Sequence, residues 1–209
     1  MMRTLLDRIG RARRNGIRAS LRCRIERLGL GVLQLWFGFD RWHSQAPFSC
    51  RGYKRLVVDL VNGLNPSLAV EIGCGLGEIL GRVEANERIG IDADARVIRA
   101  ARFLRRGRGT WLHGDAADLD RLVPGGRTID CLIMVNWIHN LSPDQLAGII
   151  LPVLGRTRYL IVDAIDGAGP VSYRYKHDFE FLARAARRRG VLHLREEPRS
   201  LIVFEVPGG

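Results

Sequence analysis

Lysine is nearly missing from this chain: Lys54 and Lys176 are the only two among 33 basic residues, so the net charge of +11 is carried by arginine. A ratio that extreme reflects base composition as much as selection for guanidinium chemistry, and it names no partner by itself. Long apolar runs are missing too. The longest nearly apolar stretch, Leu28 to Phe39, interrupted by Gln34, is twelve residues, whereas a membrane span needs about 20. No compact apolar segment with a small-residue cleavage site follows the basic N-terminus, so a secretory leader is not expected. Cysteines are few. Cys23, Cys50, Cys74 and Cys131 form no CxxC and no Cys/His cluster, which argues against structural zinc or a disulfide framework and predicts reduced thiols in a cytoplasmic protein with no metal. What is present suffices for a packed body: 46% apolar and 26% charged residues over 209 positions exclude wholesale disorder and fit one domain with a short appendage.

The charge is uneven. Residues 1–41 hold ten arginines against Asp7, Glu26 and Asp40, a net +7, leaving +4 for the rest. Residues 1–50 are therefore read as a basic helical arm or lid and 51–209 as the body. In the arm, Leu5, Ile9, Ile17, Leu21, Ile25 and Leu28 recur at helical spacing, with a break expected at Gly10, Asn15 and Gly16. Arginines beside apolar and aromatic residues suit an anionic membrane surface, which would make the cytoplasmic protein peripheral at the membrane; packing on the body and nucleic acid are the alternatives. A loop and a helix over about 53–64 follow.

From residue 68 strands alternate with helices: strands at 68–72, 88–91, 110–113, 129–135 and 159–162, helices near 78–84, 95–104 and 143–154, then a helix over 173–189 and two strands at 191–194 and 201–206. Ser142-Pro143-Asp144-Gln145 carries the signature of a capping box. This order implies an α/β fold built on a parallel sheet with right-handed crossovers, and the last two strands are close enough to pair.

The most informative stretch is Glu71-Ile72-Gly73-Cys74-Gly75-Leu76-Gly77-Glu78, placed where a strand hands over to a helix. Glycines there allow a tight turn and close approach of a ligand. The spacing GxGxG followed by Glu78 departs from the dinucleotide fingerprint GxGxxG. Glu71 and Glu78 would form an acidic rim that disfavours a pyrophosphate and suits a cationic amino-acid ligand. Asp92, at the end of the second strand and followed by Ala93, is placed to accept two ribose hydroxyls. Asp115 and Ala116, after the third strand, are placed to read an adenine edge, with capping of the next turn as the rival role for Asp115. Cys74 is a small residue in the loop.

On these residues the chain resembles a Rossmann-like class I S-adenosylmethionine-dependent methyltransferase over about residues 66–165. The resemblance implies S-adenosyl-L-methionine as cofactor, held by Glu71, Gly73, Cys74, Gly75, Gly77, Asp92, Ala93, Asp115, Ala116 and Asn136. It implies a mostly parallel seven-stranded sheet with an antiparallel last strand, the strands at 191–194 and 201–206 resembling the sixth and seventh of that family. It also implies methyl transfer to an oxygen or nitrogen of a small molecule or saccharide. The stretch Asn136-Trp137-Ile138-His139-Asn140 replaces the Asp/Asn-Pro-Pro-Tyr/Phe run of enzymes that methylate base amino groups. Nucleic acid is therefore disfavoured, with an RNA methyltransferase or a non-catalytic binder as alternatives. His139 is the candidate general base. Trp42, His43, Arg51, Tyr53 and Trp137 are candidates for lining the substrate side. His177-Asp178 on the expected helix is read as a solvated face.

Overall fold

The computed structural model describes residues 2–45, 47–123, 126–165, 173–183, 185–193 and 199–207, with side chains from residue 20 onward except those of residues 192 and 193. It divides into two units, Met1–Gly52 and Tyr53–Gly209.

In the first unit a single helix, α1 (Met2–Phe37), runs through Gly10, Asn15 and Gly16. The expected break is absent. An interior glycine costs a helix only about 1 kcal/mol relative to alanine, and the arginines and leucines on either side are good helix formers. The helix stops at Gly38, whose φ of 72° is the left-handed conformation that ends many helices; its N–H donates to Gln34 O at 2.8 Å. A short helix α2 (Trp42–Gln45) and a single turn at Phe48–Cys50 fold back on α1. Ser44 Oγ donates to Gln34 Oε1 at 2.9 Å, and the Ser49 N–H to Glu26 Oε2 at 3.1 Å. Cys23 and Cys50 are joined by a disulfide, their Cα atoms 5.5 Å apart. This corrects the reading of all four thiols as reduced. The two cysteines are 27 residues apart in sequence, and only the fold-back brings them together. Cys74 and Cys131 are free and buried.

The second unit begins at Tyr53, within α3 (Gly52–Leu64), which buries Tyr53, Val57, Val58 and Val61 on one face. The strands are β1 (Leu68–Ile72), β2 (Glu87–Asp92), β3 (Thr110–His113), β4 (Ile129–Met134), β5 (Thr157–Ile165), β6 (Arg187–His193) and β7 (Arg199–Glu205). They form one sheet in the order β3-β2-β1-β4-β5-β7-β6. Neighbours among β1 to β5 pair in parallel, and β7 runs antiparallel between β5 and β6. The helices α4 (Ala95–Leu104), α5 (Leu119–Leu122) and α6 (Pro143–Leu154) sit on the crossovers. The capping box opens α6 as expected: Ser142 Oγ accepts from the Gln145 N–H while Gln145 Oε1 accepts from the Ser142 N–H at 2.9 Å. β1 and β4 are buried on both faces apart from Asp130, which explains their nearly unbroken apolar runs.

Two expected helices are missing. Residues 78–84 form only a turn at Leu80–Arg82. Residues 173–179 form no regular element, a turn follows at Glu180–Leu182, and β6 already starts at Arg187. The backbone N–H groups of Arg174 and Tyr175 both donate to His139 O, at 3.1 and 3.0 Å. Phe179, with φ 62°, is buried against Phe204. Long-range pairing and aromatic burial override local helix propensity here. Among the described residues no helix is long and apolar enough to cross a membrane.

Candidate functional site

The cofactor-side residues singled out by the sequence gather at the carboxyl ends of β1, β2, β3 and β4, where open α/β sheets take their ligands. Leaving β1, the chain turns through Gly73, Gly75 and Gly77, whose φ values of 69°, 53° and 63° lie in the left-handed region that favours glycine. Two of these glycines also make room for tryptophans. A Cβ on Gly73 would lie 2.3 Å from the Trp137 ring, and one on Gly77 would lie 2.4 Å from Trp111, whose ring also covers Gly90. The Trp137 indole Nε1 donates to Ile72 O at 2.7 Å and so ties the end of β4 to the end of β1. The Cys74 N–H donates to Ile91 O at 3.0 Å. Its thiol is buried, and burial pushes the thiol pKa well above its usual value.

Asp92 anchors this loop. Its Oδ2 accepts the Gly75 N–H at 2.8 Å and its Oδ1 the Asp94 N–H at 3.0 Å. Ala93 O is bonded by His113 Nε2 at 3.1 Å. Glu71 is buried and accepts the Leu80 N–H at 3.0 Å; burial raises its pKa to about 8. Glu78 is buried and paired with Lys54 of α3. The expected acidic rim is therefore weakened, since one carboxyl retains its proton at neutral pH and the other faces a cation. Asp115 is exposed and caps the turn at Ala116–Asp118, accepting the Ala117 N–H at 3.0 Å. That geometry is the capping role weighed against adenine recognition.

The end of β4 meets a buried polar network that the sequence did not reveal. Asn136, at φ 75°, has its N–H held by Asp163 Oδ1 at 2.9 Å. The other oxygen of Asp163 pairs with the Arg199 guanidinium. Arg199 donates through a second nitrogen to Asn136 Oδ1 at 2.9 Å and to the Tyr173 hydroxyl oxygen at 3.0 Å. The Tyr173 hydroxyl donates to Asn136 Oδ1 at 2.8 Å, and the Arg199 guanidinium lies 4.3 Å from the centre of the Tyr53 ring. Asp163 and Arg199 are both buried.

His139, the candidate base, is fully buried. Its Nε2 lies 3.1 Å from Asp163 Oδ2 but is not aligned for a hydrogen bond, and neither ring nitrogen has a hydrogen-bond partner among the described residues. As placed, the ring presents no atom to a substrate. His177 is also buried, bonding Ile138 O at 3.0 Å, rather than sitting on a solvated face; Asp178 is exposed. Of the substrate-side candidates, Tyr53 joins the Arg199 network and Trp137 covers the glycine loop. Trp42, His43 and Arg51 belong to the first unit, where the His43 ring packs on Trp42 and Phe39. Asp163 left a faint signal, as an acid closing the apolar run Tyr159–Val162 on a strand beside β4. Arg199 left none, being one arginine of many. A separate cavity of about 570 Å³, lined by Asn65, Pro66, Arg82, Arg88 and Arg108 among others, opens at the amino ends of β1 and β2, opposite the glycine loop.

The strand order and the antiparallel β7 are those of the class I S-adenosylmethionine-dependent methyltransferase fold. Among solved structures, the N-methyltransferase NodS from Bradyrhizobium japonicum WM9, in complex with S-adenosyl-L-homocysteine, matches with a TM-score of 0.62 at 16% identity, over 85% of this chain and 97% of that one. The magnesium protoporphyrin IX methyltransferase ChlM from Synechocystis PCC 6803, also with S-adenosylhomocysteine bound, matches with a TM-score of 0.57 at 17% identity, over 74% and 84%. TehB from Haemophilus influenzae gives 0.58 at 12% identity, over 80% and 66%. No family model matches the sequence, and no curated protein matches it.

Proposed function

We propose that this chain is a methyltransferase that uses S-adenosyl-L-methionine and transfers the methyl group to an oxygen of a small molecule or saccharide. The observation that carries the cofactor assignment is Asp92. Each of its oxygens spends one lone pair on a backbone N–H, leaving another on each for a vicinal diol. It stands beside a turn made by three left-handed glycines. The residues present fit the group: Glu71, Gly73, Gly75, Asp92, Ala93 and Asn136 would hold it. When bound, the cofactor supplies an electrophilic methyl on a sulfonium sulfur. The chain's own part is to fix the acceptor in line with that methyl and to exclude water.

Asn136 supports the choice of oxygen. An arginine can only donate, so the Asn136 atom facing Arg199 is the amide oxygen. That oxygen already receives two donors, and the amide nitrogen is left to donate outside the network. A donor at the end of β4 suits an acceptor presenting lone pairs, such as a carboxylate, phenolate or sugar hydroxyl. An amine, which itself donates, suits it less. Acidic oxygens of the first two kinds also need no base, consistent with the burial of His139. The neighbours named as an N-methyltransferase and a porphyrin methyltransferase show that this fold takes varied acceptors. A non-catalytic binding role is the second reading, favoured by the same burial of His139.

The test is direct. S-adenosylhomocysteine at a hundredfold excess over its dissociation constant should stabilise the protein by about 2.7 kcal/mol, and NADH should not. Asp92→Ala should weaken that binding about ten- to a hundredfold. Labelled S-adenosylmethionine offered with carboxylic acids, phenols, sugars and amines should label the oxygen acceptors. Label confined to amines would sink the oxygen assignment, and cofactor binding with no transfer anywhere would favour the binder.

A further inference from the structure

The exposed face of α1 in the first unit has a pattern that the proposed reaction does not use. Leu21, Ile25, Leu28, Val32 and Leu35 are 57%, 61%, 73%, 64% and 87% exposed, and Trp36 is 71% exposed. At helical geometry these six residues fall within an arc about 100° wide. Exposed Arg22 and Arg24 lie on its two flanks, and exposed Arg27 lies farther round. The opposite side of the helix is already occupied. Cys23 is joined to Cys50, Glu26 receives the Ser49 N–H, Gln34 receives Ser44, and Leu30 is buried. The back of the helix is thus fastened within its own unit, and the apolar stripe points away from it. A row of five large aliphatic side chains and a tryptophan is far more apolar surface than a water-facing helix needs.

We infer that this face docks on an anionic lipid surface. Charge selects the occupant. Residues 1–41 carry ten arginines against three acids, and arginines border the stripe on both sides. The steps of four and three from Leu21 to Leu35 would also suit pairing with a second copy. Two such arms would bring a net +14 together even with Glu26 paired to Arg22 at 3.2 Å, whereas a negatively charged membrane supplies the counter-charge. Nucleic acid would meet the arginines but leaves the apolar stripe in water. In a lipid interface the leucines, isoleucine and valine enter the acyl boundary, the arginines reach the headgroups, and Trp36 sits at the level favoured by amphipathic rings.

Flotation of the full-length protein tests this without reference to methyl transfer. The protein should float with phosphatidylcholine–phosphatidylglycerol vesicles at low salt, remain behind with pure phosphatidylcholine, and lose binding as salt is raised. Leu28→Glu with Val32→Glu should abolish flotation. Both sites are exposed, so the thermal transition should be unchanged. Arg22→Gln with Arg24→Gln should weaken binding by about fivefold per charge removed. Failure of the wild type to float at low salt overturns the proposal. So does flotation indifferent to phosphatidylglycerol, because the charge argument then has no role. A lipid-free dimer that is lost in the Leu28→Glu, Val32→Glu variant, without flotation of the wild type, would assign the face to a second copy. RNA binding that ignores that variant, again without flotation, would assign the arginines to nucleic acid.

Discussion

Around β1, β2 and β3 the polar residues of the site bond close to home: Glu71 to Leu80 nine residues on, Asp92 to Asp94 two residues on and Gly75 seventeen back, Asp115 to Ala117 two residues on. Around β4, β5 and β7 they reach across the chain. Arg199 meets Asp163 over 36 residues and Asn136 over 63, and Tyr173 meets Asn136 over 37. The first half is a set of loops each shaped by its own sequence. The second is one network, in which removing any member strands the others. The halves should therefore fail differently when a residue is taken away.

The largest effect is expected from the network. Asp163→Ala leaves the buried Arg199 guanidinium without its carboxylate and the Asn136 N–H without its acceptor. Breaking a buried pair by removing one partner costs about 3–5 kcal/mol, so the variant should unfold at much lower denaturant concentration. Replacing Asp163 and Arg199 together by apolar residues should restore part of the loss, and the double-mutant cycle should show strong coupling. A loss below about 1 kcal/mol for Asp163→Ala would show that this half is no more interdependent than the other.

In the first half, the buried carboxyl of Glu71 offers a sharper test through pH. Its folded pKa of about 8 lies above the ordinary value of 4.5 because burial disfavours the charge. Between those values the folded chain holds a proton that the unfolded chain has released. Stability should therefore be fully present below about 4.5, fall through the window up to about 8, and level off above it. The slope is at most about 1.4 kcal/mol per pH unit. Glu71→Gln, which mimics the protonated form, should remove that fall and be the more stable protein at alkaline pH. Denaturant titrations across the window would show this, and an unchanged slope in the variant would mean that Glu71 is ionised in the fold.

The same contrast accounts for what could be read from the sequence. The strands at 68–72 and 110–113 and the helices at 95–104 and 143–154 follow from apolar patterning and from caps such as Ser142 with Gln145, which are local signals. The glycine loop and Asp92 are legible for the same reason. That Gly73 and Gly77 lie against Trp137 and Trp111 was not legible, because the rings arrive from β3 and from the segment after β4. The stretch 173–189 carries helix-forming arginines and alanines, yet burial of Phe179 and pairing of β6 with β7 decide its conformation. Asn136 could be placed at a strand end, but its partners Asp163, Tyr173 and Arg199 converge only once β7 inserts beside β5. Cys23 and Cys50 belong to this class too, since α1 must be continuous and folded back upon before they meet.

Asp115 gives the smallest expected effect and decides how far the first half is purely local. Its carboxylate caps the turn at Ala116–Asp118, while Asp118 reaches back to the Asp115 N–H at 3.3 Å. Loss of such a cap costs about 1 kcal/mol. Asp115→Ala should lower stability by that amount and leave S-adenosylhomocysteine affinity within about twofold. Asp115→Asn, which can still accept the Ala117 N–H, should recover most of the stability. If Asp115→Ala instead weakens the ligand tenfold or more while barely moving the unfolding midpoint, the carboxylate's main partner is the adenine edge. The residue would then be shared between turn and ligand, and the first half would depend on its cofactor as the second depends on Arg199.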